Sequence, residues 1–298
     1  MIPRWLLWTL LAVFCWGIWA LLGKLIGDAL SPAHTQAIST IGLLPVMAGL
    51  AFSLKQPEPG NRRRGTWLAF GSGVISALGN IAYYDALNRG PKAATVVPLT
   101  ALYPLVTVLL AVMVLKERLN WIQAGGIVLS LIAIYLFNVQ AGQERGLFSA
   151  WLLIALIPIL LWGITGLLQK MSTNHISGEL STLWFLAAFL PVGITLLFWP
   201  SLPGPISGRT WFLTAALGFT LALGNYALLE AFACQGKASI IAPLGGLYPA
   251  ISIPIAILAL KERVGWRESL GIALALLSVV ALSCESRPQQ PAGKLKTE

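Results

Sequence analysis

Long apolar runs separated by short polar stretches recur along the whole chain. The runs are continuous rather than alternating, so they do not read as strands of a membrane barrel. Each approaches the ~20 residues that carry a helix across a bilayer. Spans are expected near 5–26, 34–54, 66–88, 92–115 and 120–138, then near 149–171, 179–199, 209–233, 237–260 and 265–283. The separators carry turn chemistry: Lys55 to Gly65 is rich in Pro, Gly and Arg, and Pro200 to Gly208 in Pro and Gly. Ser31 before Pro32 reads as an N-cap followed by proline at the first helical position, and Ser177 repeats the cap.

The pattern is also written twice. Residues 78–138 align with 223–283 at a constant shift of 145. Leu78-Gly79-Asn80 returns as Leu223-Gly224-Asn225, Lys92-Ala93 as Lys237-Ala238, and Leu115-Lys116-Glu117-Arg118 as Leu260-Lys261-Glu262-Arg263. Earlier parts match at a shift of 146, including Trp16-Gly17 with Trp162-Gly163, Lys24 with Lys170 and Pro45 with Pro191. Two repeats over residues 1–143 and 144–284 follow, with a polar tail at 285–298 expected to be disordered. Five spans per repeat is an odd number, which sends the second half into the membrane upside down. The expected fold is thus an all-α membrane protein: ten transmembrane helices as two inverted five-helix repeats around a central cavity.

Composition agrees with a lipid environment. Hydrophobic residues make up 57% and charged residues 10% of the chain, with a mean hydropathy of +0.78. The net charge of +9 would suggest nucleic acid in a soluble protein. Here Lys and Arg lie mostly in connections, where they act as topology signals and meet anionic headgroups. Of the 20, 12 fall on the side of the N-terminus, so both termini are expected in the cytoplasm, with a bacterial inner membrane the expected location. The stretch after Arg4 resembles a signal peptide, but its repeat partner begins mid-chain at Trp151, so it is expected to remain as a helix. Cys15, Cys234 and Cys284 are odd in number and lie in or beside apolar runs, which favours packing over a disulfide framework.

The spans at 92–115 and 237–260 each hold two prolines, Pro98 with Pro104 and Pro243 with Pro249. Proline removes a backbone donor and clashes with the carbonyl four residues earlier, so both helices are expected to kink or unwind. Gly245-Gly246 loosens the second further, where the first has Thr100-Ala101. Freed carbonyls at that depth must face protein or a water-filled cavity. Broken helices at matching places in two repeats point to a central site.

With these motifs the chain resembles the EamA-type family of the drug/metabolite transporter superfamily. The resemblance rests on the duplicated Trp-Gly, on Pro98-Leu99-x-x-Leu102-Tyr103-Pro104 and Pro243-Leu244-x-x-Leu247-Tyr248-Pro249, and on the Glu-bearing turn before the fifth span of each repeat. It covers residues 5 to 283. Members commonly carry Gly-Glu at that turn, whereas Lys116-Glu117 and Lys261-Glu262 stand here. The resemblance implies a ten-helix basket with a cavity lined by spans 1, 3, 4, 6, 8 and 9. It also implies alternating access and, most often, export of amino acids or other small metabolites.

Polar and aromatic residues inside the spans are the candidates for that cavity. Trp16, Trp19 and Trp162 lie away from the interfaces where Trp anchors, and either wall the cavity or pack the core. Asn80 and Asn225 either bind solute or bridge helices. Tyr83 and Tyr84 can share a face with Asn80, and Tyr226 adjoins Asn225. Gln169 has no counterpart, because Gly23 matches it. Pro98, Thr100, Tyr103, Pro243 and Tyr248 complete the set. Asp85 and Glu230 occupy matching positions and read either as carriers of a coupling ion, protons above all, or as helix-end residues. Asp85 has Arg89 four residues on, a ready partner. Lys24 and Lys170 either snorkel to headgroups or capture an anionic group.

No metal-ligand spacing involves His34 or His175, and no nucleophile–base or phosphate-cradling motif occurs. Neither enzyme chemistry nor a cofactor is therefore expected. The expected function is secondary transport of a small metabolite, by export, as a monomer or homodimer among membrane lipids. The alternatives are a non-transporting scaffold or receptor subunit, and uptake of a sugar-like solute.

Overall fold

A computed structural model describes residues 3–53, 60–90, 92–116, 119–140, 150–198, 204–234 and 237–284. Every regular element among them is helical. The expected disordered tail at 285–298, the boundary between the repeats near 143, and Glu117 with Arg118 lie outside the described residues.

The first repeat runs through α1 (Arg4–Ile26), α2 (Pro32–Ser39), α3 (Leu44–Ser53), α4 (Arg62–Arg89), α5 (Ala93–Thr100), α6 (Pro104–Val114) and α7 (Trp121–Gln140). The second runs through α8 (Ala150–Thr173), α9 (Gly178–Ala187), α10 (Phe189–Leu197), α11 (Gly208–Ala233), α12 (Ala238–Gly245), α13 (Pro249–Ala259) and α14 (Trp266–Ser283). Among the described residues, 8 helical segments are long and apolar enough to cross a membrane. Two expected spans fall short of that measure. Helix α4 opens on Arg62-Arg63-Arg64 and ends with Asp85 and Arg89, and the apolar stretch Trp121–Phe137 of α7 is shorter.

Prolines decide where the helices break. Each of Pro104, Pro191 and Pro249 lies four residues after the last residue of a helix, namely Thr100, Ala187 and Gly245. That is the carbonyl with which a proline ring collides. The breaks at Ala101–Tyr103 and Gly246–Tyr248 are tight turns: Tyr103 N–H reaches the Thr100 carbonyl, and Tyr248 N–H that of Gly245. Pro45 acts similarly, for the chain tightens to a 3₁₀ turn over Thr40–Leu43 before α3. The Ser31 and Ser177 hydroxyls accept the His34 and Leu180 amides, capping α2 and α9.

The repeats interlock. Helix α1 lies along α11 and α8 along α4, so the first helix of each repeat packs on the longest helix of the other. Glycine permits this approach. A Cβ at Gly79 would sit 2.7 Å from Trp162 Nε1, and one at Gly224 would sit 2.5 Å from Trp16 Nε1. Likewise α13 meets α1 at Gly17 and α6 meets α8 at Gly163.

After α6 and α13 the chain turns through Lys116 at φ +57° and Lys261 at φ +53°. Both lysines thus adopt the left-handed conformation that glycine takes without penalty. The turn geometry survives the loss of glycine.

Candidate functional site

The interlocked helices leave a central cavity of about 50 Å³, room for roughly three to five water molecules. Its walls come in equivalent pairs from the two repeats. Helices α1 and α8 give Trp16 and Trp162, α4 and α11 give Asn80 and Asn225, and the two proline-set turns give Tyr103 and Tyr248. Trp19 and Gln169 also line it.

The aromatic rings pair in two groups, Trp16 with Tyr248 and Trp19 with Trp162 and its neighbours. Trp19 stands 5.6 Å from Trp162 edge to face, and Trp16 stands 6.4 Å from Tyr248 in the same way. Such pairs are each worth about 0.5–1.5 kcal/mol beyond area burial. The tyrosines tie the two broken helices together. Tyr103 OH donates to the Ala242 carbonyl of α12 at 3.3 Å, and Tyr248 OH approaches the Val97 carbonyl of α5 at 3.5 Å.

The amides are wired differently on the two sides. Trp162 Nε1 donates to Asn80 Oδ1 at 3.1 Å. Among the described residues the Asn80 side-chain NH₂, on a residue 1% exposed, has no hydrogen-bond partner. Gln169 Nε2 donates to Asn225 Oδ1 at 3.1 Å, and Asn225 Nδ2 donates to the Leu221 carbonyl at 2.9 Å. Among the described residues no Asp, Glu, Lys, Arg or His belongs to the cavity wall. Lys24 and Lys170 instead donate to carbonyls at matching positions, Leu87 at 2.7 Å and Phe232 at 3.3 Å. Neither lysine is a wall residue.

Other expected site residues stand apart. Tyr83 and Tyr84 are buried behind Trp19; Tyr83 stacks on it at 4.8 Å and donates to the Ala20 carbonyl. Pro98, Thr100 and Pro243 shape the broken helices without lining the cavity, although the Thr100 hydroxyl comes within 3.5 Å of Tyr248 OH. Tyr226 packs against Trp8. Asp85 bonds Arg89 at 2.8 Å and faces a separate cleft beside Asp28 and His34. Glu230 lies against Gly178 at the start of α9. The cavity also includes Ser76, Thr165, Gly166, Leu221, Leu228 and Ala242. Ser76 and Leu221 precede Asn80 and Asn225 by one helical turn, so helical periodicity alone could have found them. Among the described residues no group of three or more His, Cys, Asp or Glu gathers as a metal site would.

Such a helical bundle, apolar enough to span a bilayer and with a small cavity at its centre, defines a polytopic membrane protein. The model of the EamA-like transporter family matches residues 3–139 and again 149–284, and the chain belongs to that family. A relative from Streptantibioticus cattleyicolor, named a probable terminal-alkyne amino-acid exporter, is 26% identical over 219 residues, covering 70% of this chain and 71% of that protein. An uncharacterized protein of Methanocaldococcus jannaschii is 43% identical over 69 residues, covering 23% of this chain; the match spans half of that relative's length (50%). A crystal structure described only as that of a protein superposes with a TM-score of 0.66 at 21% identity. It covers 92% of this chain and 94% of its own, and so shares the fold.

Proposed function

We propose that this membrane transporter is a secondary exporter of a small, amino-acid-like metabolite. It works by alternating access, with ten spans arranged as two inverted five-helix halves that rock around the central cavity. The observation that carries this reading is the cavity itself, walled by equivalent residues of both repeats where Pro104 and Pro249 break the helices. Helices broken at matching positions mark the binding site in transporters of this build. The name of the Streptantibioticus relative favours an amino-acid-like solute and export. Both termini lie in the cytoplasm on this reading, and the membrane is a bacterial inner membrane.

The wall's chemistry narrows the solute. An unpaired ionised group is expensive to bury, and the described residues of the cavity wall supply no side-chain countercharge. A solute with zero net charge fits best, its ammonium over the rings of Trp16, Trp19 or Trp162 and an acceptor oxygen at the Asn80 side-chain NH₂. Asp85, held by Arg89, is left outside the solute path, and Glu230 remains the candidate carrier of a coupling proton.

The test is counterflow in proteoliposomes. Vesicles preloaded with a neutral apolar amino acid should accumulate the labelled compound transiently, and Trp162→Ala should abolish this while the protein stays monodisperse. Absence of counterflow for every neutral amino acid, sugar and organic cation tried would defeat the reading.

A further inference from the structure

A larger space lies apart from the central cavity, a cleft of about 900 Å³. It is walled by α2 and α4 of the first repeat and by α8 and α10 of the second. Its chemistry is graded along α4. Asp85 and Arg89 stand near the end of that helix, with Asp28 from the turn after α1 and His34 from α2 lining the same cleft. Ile81 and Leu78 follow about 6 and 10 Å below Asp85, at a rise of ~1.5 Å per residue. Ile154, Ile157 and Leu196 line it from the other repeat. Leu78 and Ile157 are 48% and 45% exposed, so the apolar part lies open where a bilayer places acyl chains.

One buried group of the cleft lacks a partner. His34 is 3% exposed. The Ser31 hydroxyl accepts the His34 amide at 3.2 Å and lies 2.9 Å from Nδ1, to which it has its own proton to give. The ring proton then sits on Nε2, which is buried with no hydrogen-bond partner among the described residues. A buried donor of this kind calls for an acceptor oxygen. Arg89 adds to the demand: its Nε bonds Asp85 at 2.8 Å, and a guanidinium has further N–H groups to donate.

The other repeat serves as an internal control. Ile81 returns as Tyr226 and Ile154 as Trp8, and these two rings pack edge to face with centroids 5.5 Å apart. His34 returns as Leu180, Arg89 as Cys234 and Asp28 as Asn174. Two bulky rings thus meet at the equivalent place, and the imidazole, the guanidinium and one carboxylate are replaced. The duplicated scaffold does not by itself dictate the cleft; residues particular to this side make it.

We propose that the cleft binds one phospholipid with an aminoethyl phosphate headgroup, a phosphatidylethanolamine. Its phosphate accepts from Arg89 and from His34 Nε2. Its ammonium donates to Asp28 and Asp85, and one acyl chain runs down past Ile81 and Leu78. Charge selects the headgroup, because two carboxylates and one guanidinium leave the site net negative and favour a cation at the headgroup's outer end. A primary ammonium donates hydrogen bonds to those carboxylates, whereas a trimethylammonium has no N–H to give. The bound lipid joins α4 to α8 and α10 and so bridges the repeats. This site stands whether or not the protein moves a solute.

The experiment titrates the delipidated full chain in detergent with dioleoyl phosphatidylethanolamine and counts bound lipid by native mass spectrometry. One molecule should bind saturably, about tenfold more tightly than the phosphatidylcholine or phosphatidylglycerol with the same chains. Asp28→Asn should remove most of that preference. Ile81→Tyr with Ile154→Trp, which copies the other repeat, should abolish the saturable binding. Phosphatidylethanolamine binding no tighter than the other two lipids overturns the proposal, and so does a preference that survives either variant in folded protein. Free phosphoethanolamine binding as tightly as the lipid overturns it too, since the cleft would then take a soluble ligand with no use for its apolar wall. If the double variant does not fold, Asp28→Asn decides alone.

Discussion

Asn80 and Asn225 occupy the same place in the repeat and face the same cavity, yet their amides are engaged differently. On the Asn225 side Gln169 and the Leu221 carbonyl use both ends of the amide. On the Asn80 side Trp162 takes the oxygen, and the buried side-chain NH₂ has no partner among the described residues. A buried donor without an acceptor costs about 1–3 kcal/mol, which a solute's oxygen can return on binding. Both repeats line the cavity, and the unmatched Gln169 engages the Asn225 amide but not that of Asn80.

Four substitutions break or sharpen that contrast. The largest effect is expected from copying Gln169 into the other repeat as Gly23→Gln. A Cβ there would sit 3.1 Å from Leu87 Cδ1 and 3.3 Å from Tyr84 Cδ1, so overpacking should cost about 1–3 kcal/mol. A lowered melting midpoint in detergent checks this; an unchanged midpoint would mean that the first repeat has room for the amide after all. Next, Asn80→Ala should cut counterflow about tenfold to a hundredfold, as loss of a buried hydrogen bond to the solute implies, and Asn225→Ala clearly less. Equal losses would erase the distinction between the walls. The smallest is Gln169→Ala, which removes one hydrogen bond of about 1 kcal/mol. Its signature is a changed ranking of competing solutes at near-normal rate, and a uniform fall in rate for all of them would assign Gln169 to packing.

Much of this was legible from residue order. The apolar runs announce the helices, and Pro104 and Pro249 announce the breaks in the spans that line the cavity. Pro45 and Pro191 carried the same signal and mark breaks of their own; they lie in spans where no second proline drew attention. Paired amides and Trp-Gly steps lead to the wall because one turn of helix brings them onto a common face. What failed was orientation around the helix. Tyr83 and Tyr84 fall one turn beyond Asn80, but Trp19 from α1 covers Tyr83 by stacking on it and packs against Tyr84. Asp85 turns to Arg89 and away from the centre. The contacts of Lys92 with Glu268 and of Glu262 with the start of α5 join segments far apart in the chain. No periodicity encodes such a meeting; only the tertiary fold creates it.

The two lysines held at positive φ also bear on engineering. A non-glycine residue there costs about 1–2 kcal/mol of backbone strain, partly offset because a cation at a helix C-terminus gains about 0.3–1 kcal/mol from the dipole. Glycine would relieve the strain but give up that gain, and it would add about 0.5–1 kcal/mol of chain entropy to lose on folding. Lys116→Gly and Lys261→Gly should therefore shift the melting midpoint hardly at all. Lys116→Asn or Lys261→Asn tolerates the left-handed turn better while keeping a side chain, and should raise it slightly. A turn that glycine commonly makes can thus be made by lysine at almost no net cost, leaving a cation at the helix end where glycine would leave bare backbone.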